Sequence, residues 1–140
     1  MDKVLIDTDV LMDFFFERKP FAKYSTELLN LCAEEQIKGF TTPVIISNVY
    51  YLLRKTAKHN QIVEKLKHLL TIVDIVNMDK IVVQDALNSE FKEFEDALQN
   101  FSAVENGGIK IILTRNLKDF KTSKLAVLTP ETYLKGKGSG

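Results

Sequence analysis

Lys3-Val4-Leu5-Ile6-Asp7-Thr8-Asp9-Val10-Leu11 is the stretch on which the reading of the chain turns. Val4 to Ile6 is short and uniformly apolar, the pattern of a strand buried on both faces of a parallel sheet. Two carboxylates interrupt it, and apolar residues then resume at helical spacing in Leu11, Phe14 and Phe15. In open parallel α/β sheets, ligands bind just beyond the carboxyl ends of the strands. Asp7 therefore stands where a reaction site belongs. The plainer reading makes Asp9 the cap of the following helix and Asp7 an ordinary turn residue.

A chain of 140 residues suits one domain with a single core. Hydrophobic residues are 45% and charged residues 27% of the total, ordinary proportions for a globular fold. The 19 basic and 19 acidic residues cancel. That excludes a histone-like nucleic-acid binder while leaving room for a local basic patch. Cys32 has no cysteine to pair with and lies in an apolar helical pattern, so a core thiol in a reducing compartment is expected. No secretory leader is expected, and no apolar run reaches the ~18 residues of a membrane span. The expectation is a cytoplasmic protein with no membrane partner.

Working outward from the opening stretch, Pro20 is predicted in the first turn of a second helix, with Phe21, Tyr24, Leu28 and Cys32 on its buried face. Residues 39–41 read as a second strand, 44–53 and 61–70 as helices, and the β-branched run 71–76 as a third strand. A helix over 79–87 follows. The acid-rich segment 90–96 then enters a helix with Phe94, Ala97, Leu98, Phe101 and Val104 on one face. Asp96, Gln99, Asn100 and Ala103 share a smaller, more polar face. Residues 109–113 and 125–128 are the fourth and fifth strands, and Thr129-Pro130-Glu131 opens a last helix. This alternation predicts an α/β fold: a three-layer α/β/α sandwich around a parallel sheet of about five strands, joined by right-handed crossovers. Residues 1–135 are expected to form a single domain, and 136–140 a flexible tail resembling a cloning remnant. Phe14, Phe15 and Phe16 exceed what one buried stripe needs and predict a partner subunit on that side.

Several chemistries are absent from the sequence. There is no glycine-rich phosphate loop, dinucleotide fingerprint, Cys/His cluster or Gly-x-Ser-x-Gly elbow; His59 and His68 read as solvated. What remains is carboxylates at strand and helix ends: Asp7, Asp9, Asp96, and Asp119 with Asn116. If the first and fourth strands end on one edge, Asp7 meets the 116–119 loop there. Asp96 joins them if its polar face turns inward. Carboxylates gathered without basic partners repel one another and hold raised pKa values. A hard divalent cation, Mg²⁺ or Mn²⁺, resolves that conflict and supports phosphodiester hydrolysis.

With these residues in view, the chain resembles the PIN-domain family of metal-dependent ribonucleases, and within it the VapC-like toxins of toxin–antitoxin pairs. The resemblance spans Val4 to about Leu134. It rests on Leu5-Ile6-Asp7-Thr8-Asp9-Val10-Leu11, on the run from Thr42 to Leu53, on Phe94-Glu95-Asp96-Ala97-Leu98, and on Ile112-Leu113-Thr114-Arg115-Asn116-Leu117-Lys118-Asp119-Phe120. It implies a Mg²⁺- or Mn²⁺-dependent endoribonuclease with Asp7, Asp96 and Asp119 holding metal and Asn116 completing the catalytic set. The family's second acid, usually Glu, falls on Asn48. Asn48 and Glu93 are therefore candidate ligands or water-orienting groups. Glu93 and Glu95 also read as favourable charge at a helix amino terminus.

For RNA the resemblance implies a basic rim, with Arg115, Lys118 and Arg18 foremost and Lys19, Arg54 and Lys55 behind them. It also implies a homodimer and a cognate antitoxin. The competing reading is a PIN-like RNA- or partner-binding module weakened or inactivated by Asn48. A haloacid-dehalogenase-type phosphatase shares Asp7-Thr8-Asp9 but wants a later Gly-Asp motif, and a receiver domain wants an acceptor Asp after the third strand. Neither requirement is met.

Overall fold

The computed structural model describes residues 1–138. Five parallel strands form one sheet in the order β3-β2-β1-β4-β5. They are β1 (Lys3–Ile6), β2 (Lys38–Thr41), β3 (Asp74–Ile75), β4 (Ile111–Leu113) and β5 (Ala126–Leu128). Between them run α1 (Thr8–Phe15), α2 (Ala22–Ala33), α3 (Pro43–Leu53), α4 (His59–Leu69), α5 (Lys80–Leu87) and α6 (Phe94–Glu105); a 3-10 turn (Leu117–Phe120) links β4 to β5, and α7 (Pro130–Gly138) closes the described chain. This is the α/β sandwich expected.

Strand order explains the layers. From β1 through β2 to β3 the chain steps one way across the sheet, so right-handed crossovers lay α1 to α4 on one face. The return from β3 to β4 reverses direction and lays α5 and α6 on the other. β1 shows both sides in three residues: Val4 and Ile6 join the core with Leu11, Leu28, Ile45 and Ile62, whereas Leu5 joins Ile112, Ala103 and Phe120. All three strand residues are fully buried. Gly39 of β2 is fitted to this packing, because a Cβ there would lie 2.7 Å from Cys32 Sγ and 3.1 Å from Val73 Cγ1. Cys32 is the buried free thiol expected, and burial pushes it up to about 11.

Three details depart from expectation. The third strand pairs only over Asp74–Ile75, because the Ile72 and Val73 amides donate to the Leu69 carbonyl and finish α4 instead. Pro20 precedes the second helix, which starts at Ala22, so Pro20 belongs to the turn before it. Phe14 and Phe15 are half-buried and, with Leu29, Leu69 and Ile72, line an apolar groove of about 690 Å³, while Phe16 is exposed. Residues 136–138, assigned to a flexible tail, continue α7, which is anchored where Tyr133 Oη donates to Asp2 Oδ2 at 2.7 Å. Residues 139 and 140 of that tail lie outside the described residues. Among the described residues no helix is long and apolar enough to cross a membrane.

Candidate active site

The sheet changes direction at β1 and β4, and in such folds the crevice outside the strand ends at that point is where ligands bind. Here it is a cleft of about 580 Å³ whose lining includes Asp7, Asp9, Asn48, Glu95, Asp96, Gln99 and Asn116.

Asp7 leaves β1 in an extended conformation (φ −76°, ψ 164°), and α1 begins at the next residue. It is therefore Asp7, rather than Asp9, that sits at the helix cap: its Oδ1 accepts from the Thr8 amide at 2.8 Å. Its Oδ2 accepts from the Thr114 hydroxyl at 2.9 Å, across the gap between β1 and β4. Asp9 lies one step inside the helix, where its Oδ2 accepts from the Arg115 amide at 3.0 Å. The expected division of labour is thus revised. Asp7 serves as both cap and cleft carboxylate, because the helix starts two residues earlier than a cap at Asp9 requires.

Electrostatics mark this place. Burial above all raises Asp7 from the usual carboxylate range, aided by Glu95 and opposed by the two hydrogen bonds. Asp9 is pushed up to about 6, by burial and then by Asp7. Asp96, on the first turn of α6, is pushed up to about 7 by burial, Asp7, Asp119, Glu95 and Glu93, in that order. Carboxylates held close with little compensating charge behave this way.

The polar face of α6 does turn inward. Gln99 and Asn100 are buried with Ala97, Leu98, Ser102 and Ala103, whereas Phe94 and Val104 of the expected apolar face are exposed. Packed between the sheet and α5, this helix needs small side chains on two sides, and its large residues at the ends fall outside the contact. Asn48 is half-buried on α3 and lines the cleft opposite α6. Glu95 lines the cleft; the exposed Glu93 precedes α6 and lines a neighbouring recess with Lys118 and Asp119. Asp119 is an exposed rim residue whose Oδ2 accepts from Asn116 Nδ2 at 2.6 Å.

Of the basic residues, Arg18 and Lys55 line the cleft itself. Arg115 is held elsewhere. Its Nε and Nη2 donate to the two carboxylate oxygens of Asp13 at 2.6 and 3.0 Å, and its guanidinium stacks 3.9 Å from the centre of the Phe21 ring. Asp13, 1% exposed, also stands 3.6 Å from Arg18. Sequence reasoning missed it. The available signal was a lone carboxylate inside the apolar run 10–16, one helical turn after Asp9. Thr114, fully buried and donating to Asp7, was likewise given no role of its own.

For a divalent cation the donors are of the right kind: hard oxygens with uncompensated charge, from Asp7, Asp96 and Asp119. Their convergence is electrostatic rather than a closed chelate. Among the described residues no three acidic, imidazole or thiol groups are gathered around one point.

Fold and cleft together define a class of parallel α/β proteins with a carboxylate-lined crevice at the sheet's switch point. A family model described as PIN domain matches residues 3–118, and the chain belongs to the PIN-domain family. It is 31% identical over 137 residues to Ribonuclease VapC1 of Aquifex aeolicus, covering 94% of this chain and 93% of that one. Among solved structures it resembles VapBC2 of Rickettsia felis bound to a DNA fragment from their promoter, with a TM-score of 0.67, 17% identity, and 90% and 96% of the two chains covered. It also resembles VapC20 of Mycobacterium tuberculosis, a Sarcin-Ricin loop cleaving toxin, with a TM-score of 0.65, 17% identity, and 88% and 96% covered.

Proposed function

We propose that this protein is a divalent-metal-dependent endoribonuclease and the toxin of a toxin–antitoxin pair. The observation that carries the reading is that Asp7 and Asp96 line one cleft at the β1–β4 switch point and are both raised, each by burial first and Asp96 next by the charge of Asp7. Carboxylates are left in that state where a cation is meant to discharge them. Kinship with a ribonuclease over nearly the whole chain supplies the reaction class.

Asp7, Asp96 and Asp119 would hold Mg²⁺ or Mn²⁺. When bound, such a cation supplies activation of water and neutralisation of charge on the leaving oxygen. The chain's own residues do the rest. Thr8 N–H and the Thr114 hydroxyl fix both oxygens of Asp7. Asn116 orients Asp119. Asn48 presents an amide toward the cleft from α3, without the charge a Glu would bring. Arg18 and Lys55, at the cleft, take RNA phosphates, with Lys118 on the neighbouring rim. Arg115 contributes to RNA binding chiefly by fixing the loop from Thr114 to Asn116. A homodimer, a cognate antitoxin and a cytoplasmic site of action belong to the same reading; structural likeness to VapBC assemblies supports the antitoxin.

Single-stranded RNA incubated with purified protein and Mn²⁺ tests this. Cleavage that needs the metal and is lost in Asp7→Asn and Asp96→Asn is expected. Cleavage indifferent to both substitutions, or RNA binding with no cleavage by the wild type, would overturn the assignment in favour of contamination or of a binding module.

A further inference from the structure

Gln99 is 1% exposed, lines the cleft, and uses only half of its amide. Its Oε1 accepts from the Thr42 hydroxyl at 2.6 Å. Thr42 in turn caps α3, accepting from the Ile45 amide at 3.0 Å. This chain ties the helix bearing Asp96 to the helix bearing Asn48, and it leaves Gln99 Nε2 buried with no acceptor. A buried donor left without an acceptor is destabilising, so an orphan at the wall of a ligand cleft requires an explanation.

Asp96 has the complementary deficit. Asp7 accepts from Thr8 and Thr114, Asp9 from Arg115, and Asp119 from Asn116. Among the described residues nothing donates to Asp96. Asp96 and Gln99 are three apart on α6, which places them on neighbouring turns of one face, and both line the same cleft. Nε2 is buried without a partner, and the acceptor that would complete it is a carboxylate on the same helix face. Asp96, on the half-exposed first turn of the helix, is the one so placed. Carboxylates that ligate metals are generally held by a hydrogen bond from behind.

We propose that Gln99 is a positioning residue for Asp96, its Nε2 donating to the Asp96 carboxylate when that carboxylate turns into the cleft to hold a divalent cation. This rests on the proposed function only in taking Asp96 as a ligand. Gln99 touches neither RNA nor cation; it sets the direction of the group that does, while Thr42 holds the other end of its amide.

The test reads metal binding without RNA. In Gln99→Met, equilibrium Mn²⁺ affinity is expected to fall by about 10- to 100-fold, the usual range for groups supporting metal ligands. In an Asp96→Asn background the same substitution should change affinity by less than about twofold, since coupled residues are non-additive. Equal losses in both backgrounds, or a lowered melting temperature with unchanged affinity, overturn the proposal. A second measurement needs no variant. Titrating wild-type protein with Mg²⁺ should shift the Gln99 side-chain amide protons and slow their exchange with solvent. Wild type that binds Mg²⁺ with no response at Gln99 removes this inference alone; wild type that binds no divalent cation removes the metal-dependent function as well.

Discussion

Replacing Arg115 by Ala separates two roles for one residue. A guanidinium that only meets RNA phosphate leaves folding stability untouched when removed, whereas the structure ties Arg115 to Asp13 by two hydrogen bonds of 2.6 and 3.0 Å. Breaking a fully buried pair from one side costs about 3–5 kcal/mol, because the remaining charge is stranded. Here the Asp13 side chain is 1% exposed but that of Arg115 is 29% exposed, so water already reaches the departing partner. Arg18, 3.6 Å from Asp13, also stays behind to compensate in part. Those two facts lower the expectation to about 2–3 kcal/mol, including roughly 0.5–1 kcal/mol from the stack on Phe21. Arg115→Lys keeps the charge but not the fork, and should retain about half of the stability. Urea unfolding at pH 7 with EDTA present reads the difference as a lower midpoint at unchanged slope. Arg115→Ala within about 0.5 kcal/mol of wild type, the range of ordinary surface substitutions, would refute the reasoning and return Arg115 to the RNA-binding rim.

Two further predictions follow from the core and the cleft. Asp9 is raised to about 6 by burial and Asp7, so between pH 4 and 6 the folded protein keeps a proton that the unfolded chain has released. Stability of the metal-free protein should fall as pH rises through that window, by up to about 3 kcal/mol from this group; Asp9→Asn should flatten the dependence seen in urea titrations at pH 4.5 and 8, and an unaltered slope would count against it. Gly39→Ala should lower stability by about 1–3 kcal/mol through overpacking, since the new Cβ meets Cys32 Sγ at 2.7 Å and Ile6 Cδ1 at 3.2 Å. Gly39→Ala combined with Cys32→Ala should recover part of that loss in a thermal melt.

How much of this was legible in the sequence varies from element to element. The alternation of short apolar runs with amphipathic stretches was enough for the parallel sandwich, because burial on both faces writes itself into three or four consecutive residues. β3 was overread for the same reason: Thr71 to Val76 has strand composition, but the end of α4 claims the Ile72 and Val73 amides before the sheet can. Composition does not record such competition.

At the site, sequence alone determined that Asp7 ends a buried strand and that Asp96 shares a polar helix face with Gln99, since both follow from local periodicity. Tertiary structure decided which partners those groups meet. Asp7 and Thr114 are 107 positions apart, and Asp13 and Arg115 are 102 apart. They meet because β1 pairs with β4. That pairing depends on the whole sheet and on no short stretch of chain. Arg115 is held away from the rim and Gln99 is left with a buried, unpaired donor for the same physical reason: packing across the sheet assigns hydrogen-bond partners only after every strand is in place.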